Sequence, residues 1–523
     1  MKLTLVSNRL ARVAIMLFAA TIMPVFLPAQ SEKTTSSPPH PTRWVASSAV
    51  ASRPAQLTTQ PKAHQTGKLK KSNTGTPIGT TAFASVKSPG TVNHPGGGKT
   101  VTTTAGHLLE YNKSGQLNRV VTRSGSEAHF DSRGKISYIK TASGITIMHG
   151  PGGQRHIVTE HRDLSGHLQS RVVSTGPQRG YVEHTFQRGG HEYMSRTYIS
   201  GGRTYVNVYR GNPYHGVVYY HYVPVYYYRP VFYRWAYNLW PGPVYYTWGW
   251  NGAPWFAPYG YYFAPYPVYP SAVFWLTDYL IAENLRAAYE AGAASAVGAG
   301  NAEDVQASSS AQPVQNNSVT LTPEVKQMIA EEVEAQLAAE DSAAAHGNAS
   351  SPAPTAAPQP ANTDQAPPAL DPSLRVFIVA TKLDVTADGQ VCSLTPGDVL
   401  LRTENTPGKD NTVGVSVVSS KRSDCNMGTS PRVQVADLQE MHNYFREQID
   451  VGLKTLADNQ GKNGIPSGPA ANPQQNPDGQ AAEDLRAAAD LQNQQKDADN
   501  AEKEVQQACS SDGNSGLACG GNA

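Results

Sequence analysis

The chain has little charge and few long apolar runs, and both shortages exclude classes of protein. Charged residues make up 16% of 523 positions, and the formal net charge is +2. A protein that is steered to nucleic acid needs a strongly basic surface, so we expect no nucleic-acid partner. Apart from the N-terminus, no stretch of ~20 unbroken apolar residues occurs, so the rest of the chain predicts no transmembrane helix.

The N-terminus has the pattern of a secretory signal peptide. Basic residues come first, an apolar stretch runs from Val13 to Leu27, and the small Ala29 suits a cleavage site. Pro24 interrupts the apolar stretch, which makes it a poor membrane span. We predict that residues 1–29 are a signal peptide. The exported protein would then lie in the periplasm, at the cell surface or outside the cell.

Cysteine is scarce, and its four positions all lie in the C-terminal third. A zinc site needs closely spaced ligand pairs such as Cys-x-x-Cys, and the sequence has none. An even number of cysteines in an exported protein favours disulfides. We predict two bridges, Cys392 with Cys425 and Cys509 with Cys519.

Catalytic motifs are missing as well. The sequence contains no Gly-x-Ser-x-Gly elbow and no His-Glu-x-x-His pair. We therefore predict a non-enzymatic protein with no cofactor and no metal.

The histidines suggest the main alternative to a non-enzymatic protein. Nine of the fifteen histidines lie within residues 129–221, most densely at His149, His156, His161 and His167. Imidazoles on one face of a hairpin stack suit a transition metal, which would make the protein an exported metal-dependent hydrolase. Solvent-facing strand positions explain the same residues without a metal.

Three segments have the composition of linkers. Residues 30–103 are rich in Ser, Thr, Pro and Gly, and we predict that they are disordered. Residues 292–371 predict a linker that contains one helix, 322–345, whose narrow apolar stripe suits either a partner helix or its own chain. Residues 459–523 predict a low-complexity tail, in which a polar helix forms a short coiled coil or the chain is disordered.

Glycine turns recur at an interval of 19 residues, at Gly115, Gly134 and Gly153. The first two follow Asn112 and Asp131 by three positions, which suits a hairpin loop with Gly in the left-handed conformation. A fixed interval predicts stacked hairpins, each of which buries one face on its neighbour.

Residues 108–168 resemble the YD repeats of the Rhs family of secreted bacterial proteins. The family shares an aromatic-Asp-x-x-Gly-x-Leu turn, and the signature positions hold Tyr111-Asn112, Phe130-Asp131 and Arg162-Asp163, the last before Gly166. The resemblance implies a hairpin architecture. Rhs proteins close many repeats into a shell around a toxin, and four degenerate repeats are too few to do so, so the toxin function is not implied.

Tyrosine, tryptophan and proline dominate residues 205–279, which hold every Trp except Trp44. With the hairpins, we predict that residues 104–291 form an aromatic β region closed by a helix. Rings of this kind stack on sugars, fill a core or contact a subunit or membrane surface. The candidate ligand-binding residues are Trp235, Trp240, Trp248, Trp250, Trp255, Tyr245 and Tyr246.

Residues 372–458 have the pattern of a small independent domain. Five short strands with tight turns precede an amphipathic helix that opens near Asp437. This order predicts a small SH3-like β-barrel with a C-terminal helix.

The whole chain therefore predicts a mainly β protein with a few helices, in which disordered linkers join a β-hairpin meander to a small barrel. This arrangement resembles uncharacterised exported bacterial proteins with a Tyr/Trp-rich β region and a C-terminal barrel, which implies a location and no activity. We expect a cell-envelope binding or scaffolding protein, with polysaccharide such as peptidoglycan or an envelope protein as its partner. A self-assembling surface component is a further alternative, because exposed Tyr-rich strands favour edge pairing.

Overall fold

A thirteen-stranded antiparallel sheet, in which each strand pairs with the next along the chain, dominates the structure. The computed structural model describes residues 89–149, 155–176, 179–200, 202–250, 252–298, 321–347, 366–387, 389–421 and 425–510, and these are mainly β with five helices. The strands are β1 (Gly90–Asn93), β2 (Lys99–Thr102), β3 (Leu108–Tyr111), β4 (Leu117–Val121), β5 (Glu127–Phe130), β6 (Ile136–Lys140), β7 (Ile145–His149), β8 (Arg155–Arg162), β9 (Leu168–Gly176), β10 (Arg179–Arg188), β11 (His191–Ser200), β12 (Arg203–Tyr214) and β13 (Val217–Val223).

One turn construction repeats along the first half of this sheet. In the turn after β5, Asp131 Oδ1 accepts hydrogen bonds from the backbone N–H groups of Arg133 and Lys135, each at 2.9 Å, and Gly134 has φ +77°. Left-handed glycines in fact recur every nine or ten residues, at Gly106, Gly115, Gly125, Gly134 and Gly144. The predicted 19-residue interval therefore spans two turns. The turn predicted at Gly153 lies outside the described residues.

The sheet begins earlier than predicted. Strands β1 and β2 fall inside residues 30–103, the range that composition assigns to disorder. Gly97 and Gly98 both adopt positive φ and build another hairpin turn. This Gly-rich stretch therefore continues the meander and is not disordered.

A continuous apolar row crosses the first half of the sheet on one face. The strand register aligns Leu109, Val120, Ala128, Ile139, Ile147 and Ile157, all at most 1% exposed. Helix α5 (Ala487–Ser510) covers this row with its buried Ala498, Ala501, Val505 and Ala508. The tail predicted over 459–523 is therefore folded through Ser510, because its weak apolar stripe packs on the sheet.

Helix α4 (Val435–Asp458) lies on the opposite face of the sheet, where alternating charges hold it. Arg171 Nε lies 3.3 Å from carboxylate oxygens of Glu160 and Glu183, and Arg196 Nε donates to Glu183 at 2.7 Å. Arg196, whose side chain is 4% exposed, then pairs with Glu440 of α4. The ladder thus passes from the partly exposed Glu160 to the buried Arg196–Glu183 pair and then to the partly exposed Glu440 of α4.

The aromatic region is not a β region throughout. Among the described residues of this region beyond β13, only Tyr226–Tyr227 (β14) form a strand, which pairs with Gln474–Gln475 (β21). The chain then forms helix α1 (Pro230–Tyr237), irregular loops and helix α2 (Ala272–Gly298). Helix α2 is the predicted closing helix, and it extends past residue 291 into the segment predicted to be linker.

The helix predicted over 322–345 is helix α3 (Pro323–Gly347), and it docks on its own chain. Its apolar stripe of Val325, Ile329, Val333 and Leu337 is buried in the same hydrophobic core as α1 and α2. Of the two alternatives for this stripe, the structure therefore shows packing on the same chain.

The C-terminal strands do not close into the predicted SH3-like barrel. Among the described residues they form a four-stranded sheet and a separate hairpin. The hairpin consists of β16 (Leu383–Ala387) and β17 (Gln390–Leu394), which pair only with each other. The disulfide between Cys392 and Cys425 is present, as predicted. Cys509 is disulfide-bonded, and its predicted partner Cys519 lies outside the described residues. The strands are β15 (Val376–Ile378), β16 (Leu383–Ala387), β17 (Gln390–Leu394), β18 (Val399–Arg402), β19 (Thr412–Ser419) and β20 (Arg432–Gln434).

Candidate binding pocket in the aromatic region

Proline explains why the aromatic region leaves the sheet. A proline has no N–H for a strand ladder, and it restricts the residue before it. Residues 238–270 contain seven of them: Pro241, Pro243, Pro254, Pro258, Pro265, Pro267 and Pro270. The loop backbone is therefore irregular, and its aromatic side chains rather than a ladder hold it to α2 and α3.

The seven predicted ligand-binding residues divide by burial. Trp240, Trp248 and Trp250 are 6%, 8% and 9% exposed and lie in the hydrophobic core, where the rings of Trp248 and Trp250 stack at 4.0 Å. Of the alternatives given for the aromatic rings, these three tryptophans therefore follow the one in which the rings fill a core. Trp235, Trp255 and Tyr246 are half-buried against the same core, and Tyr245 alone of the seven is exposed, at 73%.

A buried acid organises the loop from beneath. Asp278 of α2 is fully buried, and its Oδ2 accepts from the backbone N–H of Tyr266 at 2.5 Å and from the Tyr269 hydroxyl at 2.8 Å. Trp248 Nε1 in turn donates to the Tyr269 hydroxyl at 2.6 Å. One carboxylate thus fixes both the loop backbone and the stacked tryptophans.

Lys326 of α3 completes this arrangement. Its Nζ lies 2.6 Å from Asp278 Oδ1, donates to the carbonyl oxygen of Ala264 at 2.8 Å and sits 3.6 Å from the centre of the Tyr266 ring. Burial raises the pKa of Asp278 and lowers the pKa of Lys326, and the opposite charge of each partner counteracts that shift. The pair therefore locks helix α3 to the loop.

A small cavity lies next to this pair, and Lys326 forms part of its wall. Its volume is about 260 Å³, near the lower end for ligand pockets. Its walls come from one loop and from the start of α3, namely Gly260, Tyr261, Tyr262, Phe263, Ala264, Pro265, Tyr266, Pro267, Leu321, Pro323 and Lys326.

The walls of this pocket are held before any ligand arrives. The Tyr262 hydroxyl donates to the carbonyl of Gly397 at 2.8 Å and accepts from the Ser419 hydroxyl at 3.0 Å. The backbone N–H of Leu321 donates to the carbonyl of Tyr262 at 2.8 Å. A prearranged concave surface with aromatic walls and few polar groups is what a small-molecule site requires.

The sequence predicts ligand binding in the aromatic region on seven residues, none of which lines this pocket. The pocket uses Tyr261 and Tyr266 rather than the tryptophans, which the loop turns inward. One signal was available: Asp278 is an acid in a segment that has almost none, and Lys326 directly follows Val325 of the apolar stripe. Their pairing across 48 residues could not be read from the sequence.

The histidines do not form a metal centre in the described part of the chain, where no group of three His, Cys, Asp or Glu side chains is placed to hold an ion. His149 pairs with Glu502 of α5 at 3.3 Å, and burial lowers the pKa of His156. The described helices also include none that is long and apolar enough to cross a bilayer.

No protein-family model, curated protein or solved structure matches the chain.

Proposed function

We propose that the protein is a non-enzymatic component of the cell envelope that binds polysaccharide, and that the pocket beside Lys326 is the binding site. The observation that carries the proposal is the pocket itself: a concave wall of tyrosine and proline, held rigid by a buried ion pair. Aromatic rings offer flat contact area at small entropic cost, which suits the apolar face of a sugar ring.

Location in the envelope forms part of the proposal. The N-terminal pattern of a signal peptide supports export, and the Cys392–Cys425 disulfide supports an oxidising compartment. The repeated hairpin turns are compatible with the resemblance to YD repeats, which we retain as a proposal about the origin of the sheet.

Co-sedimentation with insoluble cell-wall polysaccharide tests the function. We expect the purified protein to pellet with the polysaccharide and a Tyr261→Ala variant to remain in the supernatant. Tyr245→Ala is the matched control, because it removes an equally large ring from an exposed position outside the pocket. If only Tyr245→Ala lost pelleting, the polysaccharide would bind at another surface, and the pocket would not be the binding site. Circular dichroism of both variants checks that they fold.

Self-assembly is a second candidate, supported by the β1 edge of the large sheet and not by the β13 edge, which helix α4 covers. At the β13 edge, Asn443 of α4 accepts from the backbone N–H of Tyr222 at 2.9 Å and donates to the carbonyl of Tyr220 at 2.8 Å. At the other edge all four residues of β1 are exposed, including Val92 at 59%. An open edge pairs readily with another strand. Light scattering that shows a monomer at high concentration would exclude this candidate.

A further inference from the structure

We infer that the pocket selects an N-acetylated amino sugar over a plain hexose of the same linkage. This inference rests on the proposed function, and it assigns the chemical class of the sugar from the walls of the pocket. Three properties of those walls carry it: their size, the few polar groups they offer and the position of their apolar side chains.

The size of the pocket admits one sugar ring. About 260 Å³ lies at the small end for ligand sites, so a chain of sugars would place one unit inside and the others along the surface. Recognition then depends on the substituents of that single ring.

The side-chain polar groups of the walls are few: those of Lys326 and Tyr262 are occupied, whereas the Tyr266 hydroxyl is buried without a hydrogen-bond partner among the described residues. The Lys326 ammonium already contacts Asp278 and the carbonyl of Ala264, and the Tyr262 hydroxyl already bonds Gly397 and Ser419. No Asp, Glu, Asn or Gln side chain lines this pocket. A plain hexose carries a hydroxyl on almost every ring carbon, and hydroxyls that are desolvated without partners oppose binding.

The apolar side chains provide the complementary surface. Leu321 and Pro323 at the start of α3 line the pocket together with Pro265 and Pro267 of the loop. An acetamido substituent replaces one hydroxyl with an amide that ends in a methyl; its N–H and C=O need partners or water, and burying the methyl against these side chains is favourable. The apolar walls therefore offer the N-acetylated amino form a contact that a plain hexose cannot make.

Calorimetric titration of the full chain with two soluble tetrasaccharides tests this. One is the β-1,4-linked tetramer of N-acetylglucosamine, and the other is the β-1,4-linked tetramer of glucose. We expect the first to bind about tenfold or more tightly than the second, the discrimination that one small apolar group provides. Tyr261→Ala should abolish binding of both, whereas Tyr245→Ala should preserve the ratio.

The outcomes separate this inference from the proposed function. Equal affinity for both tetramers, lost in Tyr261→Ala, would overturn the selectivity and leave polysaccharide binding at the pocket intact. Binding of neither tetramer by a protein that still pellets with cell-wall polysaccharide would also overturn the selectivity alone. Binding of neither, together with no pelleting, would overturn both.

Discussion

The ammonium of Lys326 lies 2.6 Å from Asp278 Oδ1 in a site where both residues are at most 5% exposed. This pair joins α2 and α3 through two residues that lie 48 positions apart in sequence, and it holds the loop that forms the pocket. A desolvated ion pair therefore stabilises the fold around the pocket.

Removing one partner of that pair should be costly. We expect Lys326→Met to lower the free energy of unfolding by about 3–5 kcal/mol, because it leaves a buried carboxylate without its counterion. Urea denaturation measures this. Lys454→Met is the control, since its pair with Asp458 is solvent-exposed and should contribute about 0.5 kcal/mol or less. Equal effects of the two substitutions would contradict the structural role of Lys326.

The contribution of Glu447 to stability should fall as pH rises from about 4.5 to about 7, whereas His221 and His442, whose pKa values burial lowers, contribute the opposite trend. Burial raises the pKa of Glu447 to about 7, while the Arg196 charge and the Tyr209 and Tyr198 hydroxyls act against that rise and the Glu440 charge adds to it. The folded state thus binds the proton more tightly than the unfolded state, so this contribution is present below pH ~4.5 and is lost as pH approaches 7. Denaturation at pH 5 and pH 8 measures how the free energy of unfolding changes with pH. Glu447→Gln should lack the decrease that Glu447 causes in the wild type. The same change with pH in both proteins would mean that other groups cause it.

Glycine positions outside helices and strands should tolerate a side chain only where φ is negative. Gly134 has φ +77° with open space around its missing Cβ, so Gly134→Ala should cost about 1–2 kcal/mol from backbone strain alone. Gly242 also has open space but no positive φ, so Gly242→Ala should be neutral or stabilise by about 0.4–1 kcal/mol. Thermal denaturation compares the two. A neutral Gly134→Ala would argue against the left-handed turn.

The Cys392–Cys425 disulfide should contribute about 3–4 kcal/mol, since it closes a 33-residue separation in the unfolded chain. A Cys392→Ala and Cys425→Ala double variant should therefore unfold at a lower urea concentration than the oxidised wild type. Adding reductant to the wild type should shift its transition toward that of the variant. No difference between variant and wild type would mean that the hairpin β16–β17 needs no crosslink.

Local signals predicted more of this fold than long-range ones. The hairpin at Asp131, the helix starting at Pro323 and the Cys392–Cys425 bridge each follow from residues that are close in sequence or few in number. Two features depend on distant partners and were missed: the docking of α5 on the sheet and the open arrangement of the C-terminal strands. A weak alanine stripe predicts no partner by itself, and only the folded sheet shows what covers it.

The candidate pocket illustrates the same limit. Composition predicts binding in the aromatic region, because tyrosine and proline are abundant there. Burial decides which rings face solvent, and burial depends on how the loop packs with α1, α2 and α3 in one hydrophobic core. The sequence alone could not distinguish Tyr261, which lines the pocket, from Trp250, which fills the core.

Hydrogen–deuterium exchange of the full chain, with and without soluble cell-wall polysaccharide, tests the central claim most directly. Binding at the pocket predicts slower backbone exchange in residues 260–267 and at the start of α3, with little change in β1–β7. Protection confined to the sheet, or none while the polysaccharide is bound, would contradict a binding site beside Lys326.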